Sequence, residues 1–458
     1  MDTSVVDQSE EEYLFLDEHT LFELEVFDSK EGASIFQFCN LTHTQGGELA
    51  LKQRMQRPWA KASRIRETQC SINYIIENKA LFDKFDQGNM RFISGNVGTY
   101  LHAPLPIIVP SKFIEFTYGV IDLYANDAYH VSKIARGVLL TRKLITSLRY
   151  FLCQFDTASP VGDLAPLLDE ARSLVFDGPL SSVGEEDKGI GFVKLWRGLR
   201  LDQTFRIHEV ENISRLLTLT YEIDALIAMA NCTQQNNLIL PTVDSGPMEI
   251  HAEGLVHPHV HDAVANPVEL NQQQRGLFLT GPNMAGKTTY LRAFATALYL
   301  AHLGMGVPAS QFRFTPINQL ISSISLSDNL HGGVSYFRAE ALRVKDVAAA
   351  IKAEYRVVAI MDEPFKGTNV KDTLEASFEI LTRFSTASNL LFMFSSHQIE
   401  LAETLRGPIG LRCFTAIETE ERLRFDYQLR TGVATQRIGM RVLREEGVFD
   451  LLDDTSNN

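Results

Sequence analysis

This chain has no apolar stretch long enough to cross a bilayer. Its longest apolar runs, such as LLFMF (390–394) and GVLLT (137–141), fall far short of the roughly 20 residues that a spanning helix needs. Paired cysteines are missing too. The five cysteines (Cys39, Cys70, Cys153, Cys232, Cys413) are scattered, odd in number and form no CxxC, which reads as reduced structural thiols rather than a disulfide framework. The opening MDTSVVDQSEEEYLF carries acids where an export signal carries bases, so the expected location is cytoplasmic, away from any membrane. Basic residues are also in short supply, 43 against 57 acids, for a net charge of −14. Residues 1–31 hold eleven of those acids and one base, Lys30, so the remainder is only mildly acidic. No basic cluster stands out along the line of the sequence, which argues against a simple DNA-gripping protein, whose affinity rests on phosphate contacts.

What is present suits a globular protein of two or three domains: 458 residues, 45% hydrophobic and 22% charged. Residues 63–80 and 110–175 read as helical. A long helix is expected from Asp202 to Asn231, with Val210, Ile213, Leu217, Ile223 and Ile227 on one face. Thirty residues at 1.5 Å each make a rod of about 45 Å, and a lever or an ordinary bundle helix explains the pattern equally well. Residues 177–191, DGPLSSVGEEDKGIG, read as a loop. Near residue 240 the character changes. Short apolar runs, GLFLT (276–280), YRVVAIMDE (355–363) and NLLFMFSS (389–396), alternate with helical stretches at 287–302, 337–353 and 371–384. That alternation implies a mostly parallel α/β sheet. The expected organisation is an acidic tail over 1–13, a helical domain over 14–240 and an α/β domain over 241–458.

Between the first strand and its helix lies TGPNMAGKTT, in which Gly281 through Thr288 fit the phosphate-loop pattern G-x-x-x-x-G-K-[ST]. Glycines let the backbone approach phosphates and aim N–H groups at them, and the helix N-terminus adds positive potential. Gly281, Pro282, Asn283, Met284, Ala285, Gly286, Lys287, Thr288 and Thr289 are therefore the candidate ATP-binding residues. Lys287 would meet the β- and γ-phosphates, and Thr288 would ligate Mg²⁺. The second apolar strand ends in paired acids. Asp362 is placed to hold Mg²⁺, and Glu363 to orient or deprotonate the attacking water; the bland reading is a solvated strand end. His397, closing the next strand in FSSHQ, is a candidate γ-phosphate sensor, although a lone strand-end histidine is commonly incidental. His257, His259 and His261 alternate, as metal ligands on an extended segment would, but no Cys or carboxylate set accompanies them.

Together these elements resemble the MutS family of ABC-type ATPases, known for DNA mismatch recognition. The family's TGPNMGGKST stands here as TGPNMAGKTT. Its D-x-L-x-x-G-x-S-T-F-x-x-E signature is matched by Asp328, Leu330, Gly333, Ser335, Phe337 and Glu340, and DEIGRGT is replaced by a segment retaining Asp362, Glu363, Gly367 and Thr368. HPHVHDAVANPVEL (257–270) is similar to the family's lead-in, and Thr42, Thr44 and Gly47 fall on its T-x-T-x-x-G positions. The resemblance implies an α/β ABC-type P-loop ATPase domain preceded by a mainly α-helical core and lever domain. It implies a homodimer in which Ser335 of one copy caps the γ-phosphate bound by the other; taken alone, Ser335 reads as a helix cap. It implies Tyr427 as an adenine-stacking residue, with Ala263 where an aromatic is expected, and hence a thin base pocket. The chain resembles a short form that opens in the core domain, without the mismatch-reading N-terminal domain and with shortened C-terminal dimerisation helices. The functional expectation is an ATPase whose hydrolysis moves helical levers that bind or sense DNA. The alternatives are a nucleotide-switched module that holds a protein partner, and a slow or degenerate relative.

Overall fold

The computed structural model describes residues 12–29, 32–86, 88–105, 113–155, 160–184, 192–324, 336–365, 369–405, 407–418 and 423–434, with 441, 443, 444, 447 and 449 beyond them. The chain sorts into two compact units. One comprises Met1–Gln37, Arg57–Ile65 and Asn236–Asn458, the other Phe38–Gln56 and Arg66–Gln235.

The first unit is built on strands. In chain order these are β1 (Thr242–Val243), β2 (Ile250–Leu255), β3 (Asn266–Leu270), β4 (Gly276–Thr280), β5 (Gln311–Phe314) and β6 (Gln319–Ser323). There follow β7 (Val357–Asp362), β8 (Leu390–Ser395), β9 (Ile409–Cys413), β10 (Ala416–Glu418), β11 (Leu423–Phe425) and β12 (Arg430–Thr431). The main sheet has the order β12-β9-β4-β8-β7-β6. It is parallel except for the antiparallel edge strand β12. Every position of β4 and β8 is buried, as a parallel strand covered on both faces requires. Helices Lys287–His302, Tyr336–Lys352 and Val370–Thr386 follow β4, β6 and β7. The three strands and three helices expected here are present within a residue or two. A smaller sheet has the order β1-β5-β2-β3, and its strands β3 and β5 alternate buried and exposed positions.

The linear boundary near 240 is not how the chain sorts. Residues 12–37 fall in the strand-rich unit because Phe15 pairs with Gln319 alongside the edge strand β6, its N–H donating to Asn318 O at 2.8 Å. An open sheet edge is a row of unsatisfied backbone groups, and this segment covers part of it.

The described structure of the second unit is helical: Gln45–Gln56, most of Ala62–Glu77, Met90–Leu101, Phe113–Asn126, Ala128–Cys153, Leu164–Arg172, Phe192–Gln203 and Val210–Gln235. Phe82, Phe85, Phe151 and Phe155 form an aromatic cluster with ring centroids 5.1 to 6.0 Å apart. Asp224, fully buried, accepts the Thr44 N–H and hydroxyl at 2.8 and 2.7 Å, and a Cβ on Gly47 would strike it. That contact is why the T-x-T-x-x-G spacing needs its glycine. The helix expected from Asp202 to Asn231 is interrupted. A π-helical turn at Thr204–His208 separates Phe192–Gln203 from Val210–Gln235. The interruption coincides with a buried polar knot: Arg206 folds back onto Asp202 at 2.6 Å, and Tyr100 donates its hydroxyl to the same carboxylate. Residues 223–230 are buried on every face, so this part of the helix is core rather than a solvated rod. Of the loop expected at 177–191, Pro179–Ser182 form a 3₁₀ turn and residues 185–191 lie outside the described set.

His302 gives the first unit a pH dependence. It is fully buried, with Nδ1 2.6 Å from Trp59 O and Nε2 accepting from the Ile317 N–H at 3.4 Å. A ring that donates on one nitrogen and accepts on the other is neutral, and burial pushes its pKa down to about 4. The unfolded chain takes up that proton near 6.5, so the contribution is complete above this value and fades as pH falls towards 4. We expect about 2 kcal/mol to be lost between pH 7 and 5, read from urea unfolding, with a flatter profile in His302→Gln. Parallel profiles for the two proteins would contradict this account.

Candidate active site

The site begins where β4 runs out. Thr280 ends the strand, and its hydroxyl accepts from the Ala434 N–H at 2.9 Å. The next residue, Gly281, turns with φ 146°, where a Cβ would lie 2.7 Å from Phe414 O. Gly286 has φ 98° and caps the Lys287–His302 helix, its missing Cβ leaving room for the Tyr427 ring. These two glycines are obligatory for local reasons. Met284 adopts a left-handed φ of 69° and projects into solvent, while Ala285 is buried beneath the loop.

Lys287 is almost wholly buried, and its ammonium donates to Gly281 O at 2.7 Å and Pro282 O at 3.1 Å. It also lies 3.3 Å from the Glu363 carboxylate. One residue on, the Thr288 hydroxyl donates to Asp362 Oδ2 at 2.5 Å. These two oxygen ligands from separate elements fit a small hard cation that keeps much of its remaining shell for water and phosphate.

Asp362 ends β7, and Glu363 turns sharply away with φ 52°. Ser395, at the end of the neighbouring strand β8, serves both acids. Its hydroxyl donates to Asp362, while its Oγ and carbonyl oxygen both accept from the Glu363 N–H at 3.1 Å. Glu363 Oε1 sits 2.5 Å from His397 Nε2. Thus Lys287, Thr288, Asp362, Glu363 and His397, expected from scattered motifs, are brought together. Ser395 was not anticipated, since a serine in FSSHQ carries no spacing signal of its own.

A cavity of about 610 Å³ joins Lys287, Thr288, Asp362 and Glu363 to His257, Asp262, Ala263 and Tyr427. That volume suits a cofactor-sized ligand. Pro282, Asn283, Met284, Gly286 and Thr289 line the loop side. Tyr427 is about half exposed, and Asn266 holds its turn by donating to Tyr427 O at 2.9 Å and accepting from the Leu429 N–H at 2.7 Å. This clamp explains the asparagine of the lead-in. Ala263 also lines the cavity and contributes no ring to it.

Among the described residues no group of three or more His, Cys, Asp or Glu is arranged to hold a metal. The His257 and His259 rings lie 5.8 Å apart, tilted by 51°, and burial, together with the nearby His259 and Arg292, lowers the His257 pKa to about 4. Ser335, Asp328, Leu330, Gly333, Gly367 and Thr368 lie outside the described residues.

Residues 277–452 match the family model for MutS domain V, the ATPase domain of that family. The match begins in β4 and takes in the phosphate loop, both acids, His397 and Tyr427, which supports a place in the MutS family. It does not reach the helical unit. No helix among the described residues is long and apolar enough to cross a membrane.

Replacing Lys287 with alanine removes the cation around which the loop is folded and leaves Glu363 short of a partner. We expect affinity for Mg²⁺-ATP to fall about a hundredfold, the order of two charge-assisted contacts, in a titration with a fluorescent ATP analogue. Affinity within twofold of the parent would show that the loop does not read phosphate through this side chain.

Proposed function

We propose that this chain is a MutS-like ABC-type ATPase that hydrolyses ATP at a site completed by a second copy and couples hydrolysis to helical elements that contact DNA. The observation that carries the proposal is the convergence of Lys287, Thr288, Asp362 and Glu363 on one cavity at the C-terminal ends of β4 and β7, with His397 held against Glu363 from the end of β8. Ligands in open α/β sheets bind at such strand ends.

In this reading the triphosphate lies on the backbone N–H groups of residues 281 and 283–288 and on the N-terminus of the Lys287–His302 helix. Lys287 exchanges its loop carbonyls for the β- and γ-phosphate oxygens. Thr288 and Asp362 hold Mg²⁺, which supplies charge neutralisation on the phosphates. Glu363 orients water in line with the γ-phosphorus and accepts its proton, and His397 steadies that carboxylate. Ser335 of the second copy caps the γ-phosphate. Tyr427 lies against the base, and with Ala263 where the family resemblance expects an aromatic, the preference for adenine is reduced.

Support for DNA as the partner comes from the helical unit. The helix Ala128–Cys153 contains five Lys and Arg residues and no Asp or Glu, in a chain whose net charge is −14. Arg142 and Arg149 turn inward to backbone carbonyls. Lys133, Arg136 and Lys143 remain on the exposed face with Tyr129 and Tyr150. Lys133 lies 4.3 Å over the Tyr129 ring, and Arg136 lies 5.3 Å over Phe92 of the Met90–Leu101 helix, which also lacks acids. A basic stripe with aromatic support suits a phosphate backbone. It is the basic face that the linear sequence hides.

Two outcomes test the proposal. Glu363→Gln should trap ATP and raise the dimer fraction in sedimentation, whereas Lys287→Ala with ATP should not; equal dimer fractions would count against the paired site. Combined Lys133→Glu, Arg136→Glu and Lys143→Glu should weaken DNA binding and reduce the slope of log affinity against log salt by about 3, with nucleotide affinity unchanged. An unaltered slope would remove DNA from this face and favour a protein partner.

A further inference from the structure

The helix Tyr336–Lys352 carries two charged side chains one turn apart that are nearly out of water, Glu340 at 2% exposure and Arg343 at 7%. Charges are rarely so buried unless they are partnered. Arg343 is accounted for by the fold. It donates to Ser322 O at 3.1 Å through Nε and to the Thr20 hydroxyl at 3.0 Å through Nη2, and it pairs with Asp17. Asp17 in turn caps the Glu18–Glu23 helix. These contacts fasten the helix to the sheet edge and the N-terminal segment.

Glu340 reaches elsewhere. Its Oε2 accepts the Phe365 N–H at 2.5 Å. Phe365 follows Glu363 by two residues, and both hold left-handed φ angles, 68° and 52°, without being glycine. Each such residue costs of order 1–2 kcal/mol, so the turn persists only where its surroundings enforce it. The enforcing contacts are named side chains and backbone groups. Ser395 takes the Glu363 N–H from one side. At the other end Glu340 takes the Phe365 N–H, the Thr373 hydroxyl donates to Phe365 O at 2.8 Å, and the Phe337 ring lies 5.4 Å from the Phe365 ring. What the turn delivers is the Glu363 carboxylate, 3.3 Å from Lys287 and 2.5 Å from His397.

We infer that Glu340 is a positioning residue that acts through the Phe365 backbone to hold Glu363 in the orientation that the reaction uses. The inference rests on the ATPase reading for its catalytic consequence but not for its structural one. A carboxylate is suited to the task because its hydrogen bond from a backbone N–H is charge-assisted, and its helix is itself pinned by Arg343. A shift of the Glu363 carboxylate by an ångström is enough to disturb in-line attack.

The experiment compares Glu340→Ala, Glu340→Gln and the parent in three measurements: steady-state ATP turnover, thermal melting, and amide hydrogen exchange across residues 360–368. Glu340→Ala should lower kcat by about ten- to a hundredfold while KM for ATP stays within about threefold, and exchange at Phe365 should quicken at least tenfold. Glu340→Gln, which keeps an acceptor oxygen, should recover most of both. A Glu340→Ala protein with parental kcat and parental exchange would overturn the inference. So would kcat, KM and melting temperature falling together without rescue by glutamine, since that is the mark of a residue that only stabilises the fold. If the parent itself hydrolyses no ATP, the ATPase reading fails, and exchange at Phe365 still decides whether Glu340 holds the turn.

Discussion

A lysine and a glutamate that share almost no water organise this protein. The side chains of Lys287 and Glu363 are 4% and 9% exposed and lie 3.3 Å apart. Neither charge would be stable there alone, because removing one partner of a buried pair costs about 3–5 kcal/mol. The pair is tolerated because the loop bends its own carbonyls, Gly281 O and Pro282 O, onto the ammonium. That bending requires a left-handed Gly281 and Gly286, so the glycine spacing of the motif follows from where the ammonium must sit. The same carbonyls and carboxylate are groups with which phosphate oxygens can compete for the lysine, so the contacts that shape the loop also poise it for an anion.

The second constraint is the sheet. Parallel strands end in register, and β8 lies between β4 and β7. Their C-terminal ends therefore set Thr280, Asp362 and Ser395 side by side although more than a hundred residues separate the first from the last. The acids can be aimed separately because Ser395 binds one by its hydroxyl hydrogen and the next by its lone pairs. Asp362 stays in the strand and faces Thr288, while Glu363 leaves it in a left-handed turn and faces Lys287. Two adjacent carboxylates thus reach different partners, which a regular strand could arrange only by placing them on opposite faces.

Much of this was legible from residue order. GLFLT, VVAIMD and LLFMFS are continuous apolar runs ended by polar residues, a pattern that belongs to buried parallel strands, and Lys287, Thr288, Asp362 and Glu363 stand at their ends. Asn266 and Glu340 stand in recognisable motifs, but their contacts, like that of Ser395, were illegible for one shared reason. Each acts by gripping a backbone group distant in sequence, and neither spacing nor residue type encodes such a contact. The placing of residues 12–37 was hidden likewise, because covering a sheet edge depends on which edge is open. The π-helical turn at Thr204–His208 shifts the helical phase by one residue between two good helical patterns, and periodicity alone reads straight through it.

Charge was misleading in the linear sequence because it was summed. Residues 1–31 dominate the total, and those described among them sort with the strand-rich unit, where Asp17 and Glu23 are spent on buried contacts to Arg343, Ser322 and Ile324. The helical unit carries a helix of 26 residues without an acid, and only its 3.6-residue period separates Lys133, Arg136 and Lys143 from the two arginines that turn inward. The chain passes between the units four times, and one passage falls within the continuous helix Ala62–Glu77. A helix carries displacement along its axis without the slack of a coil.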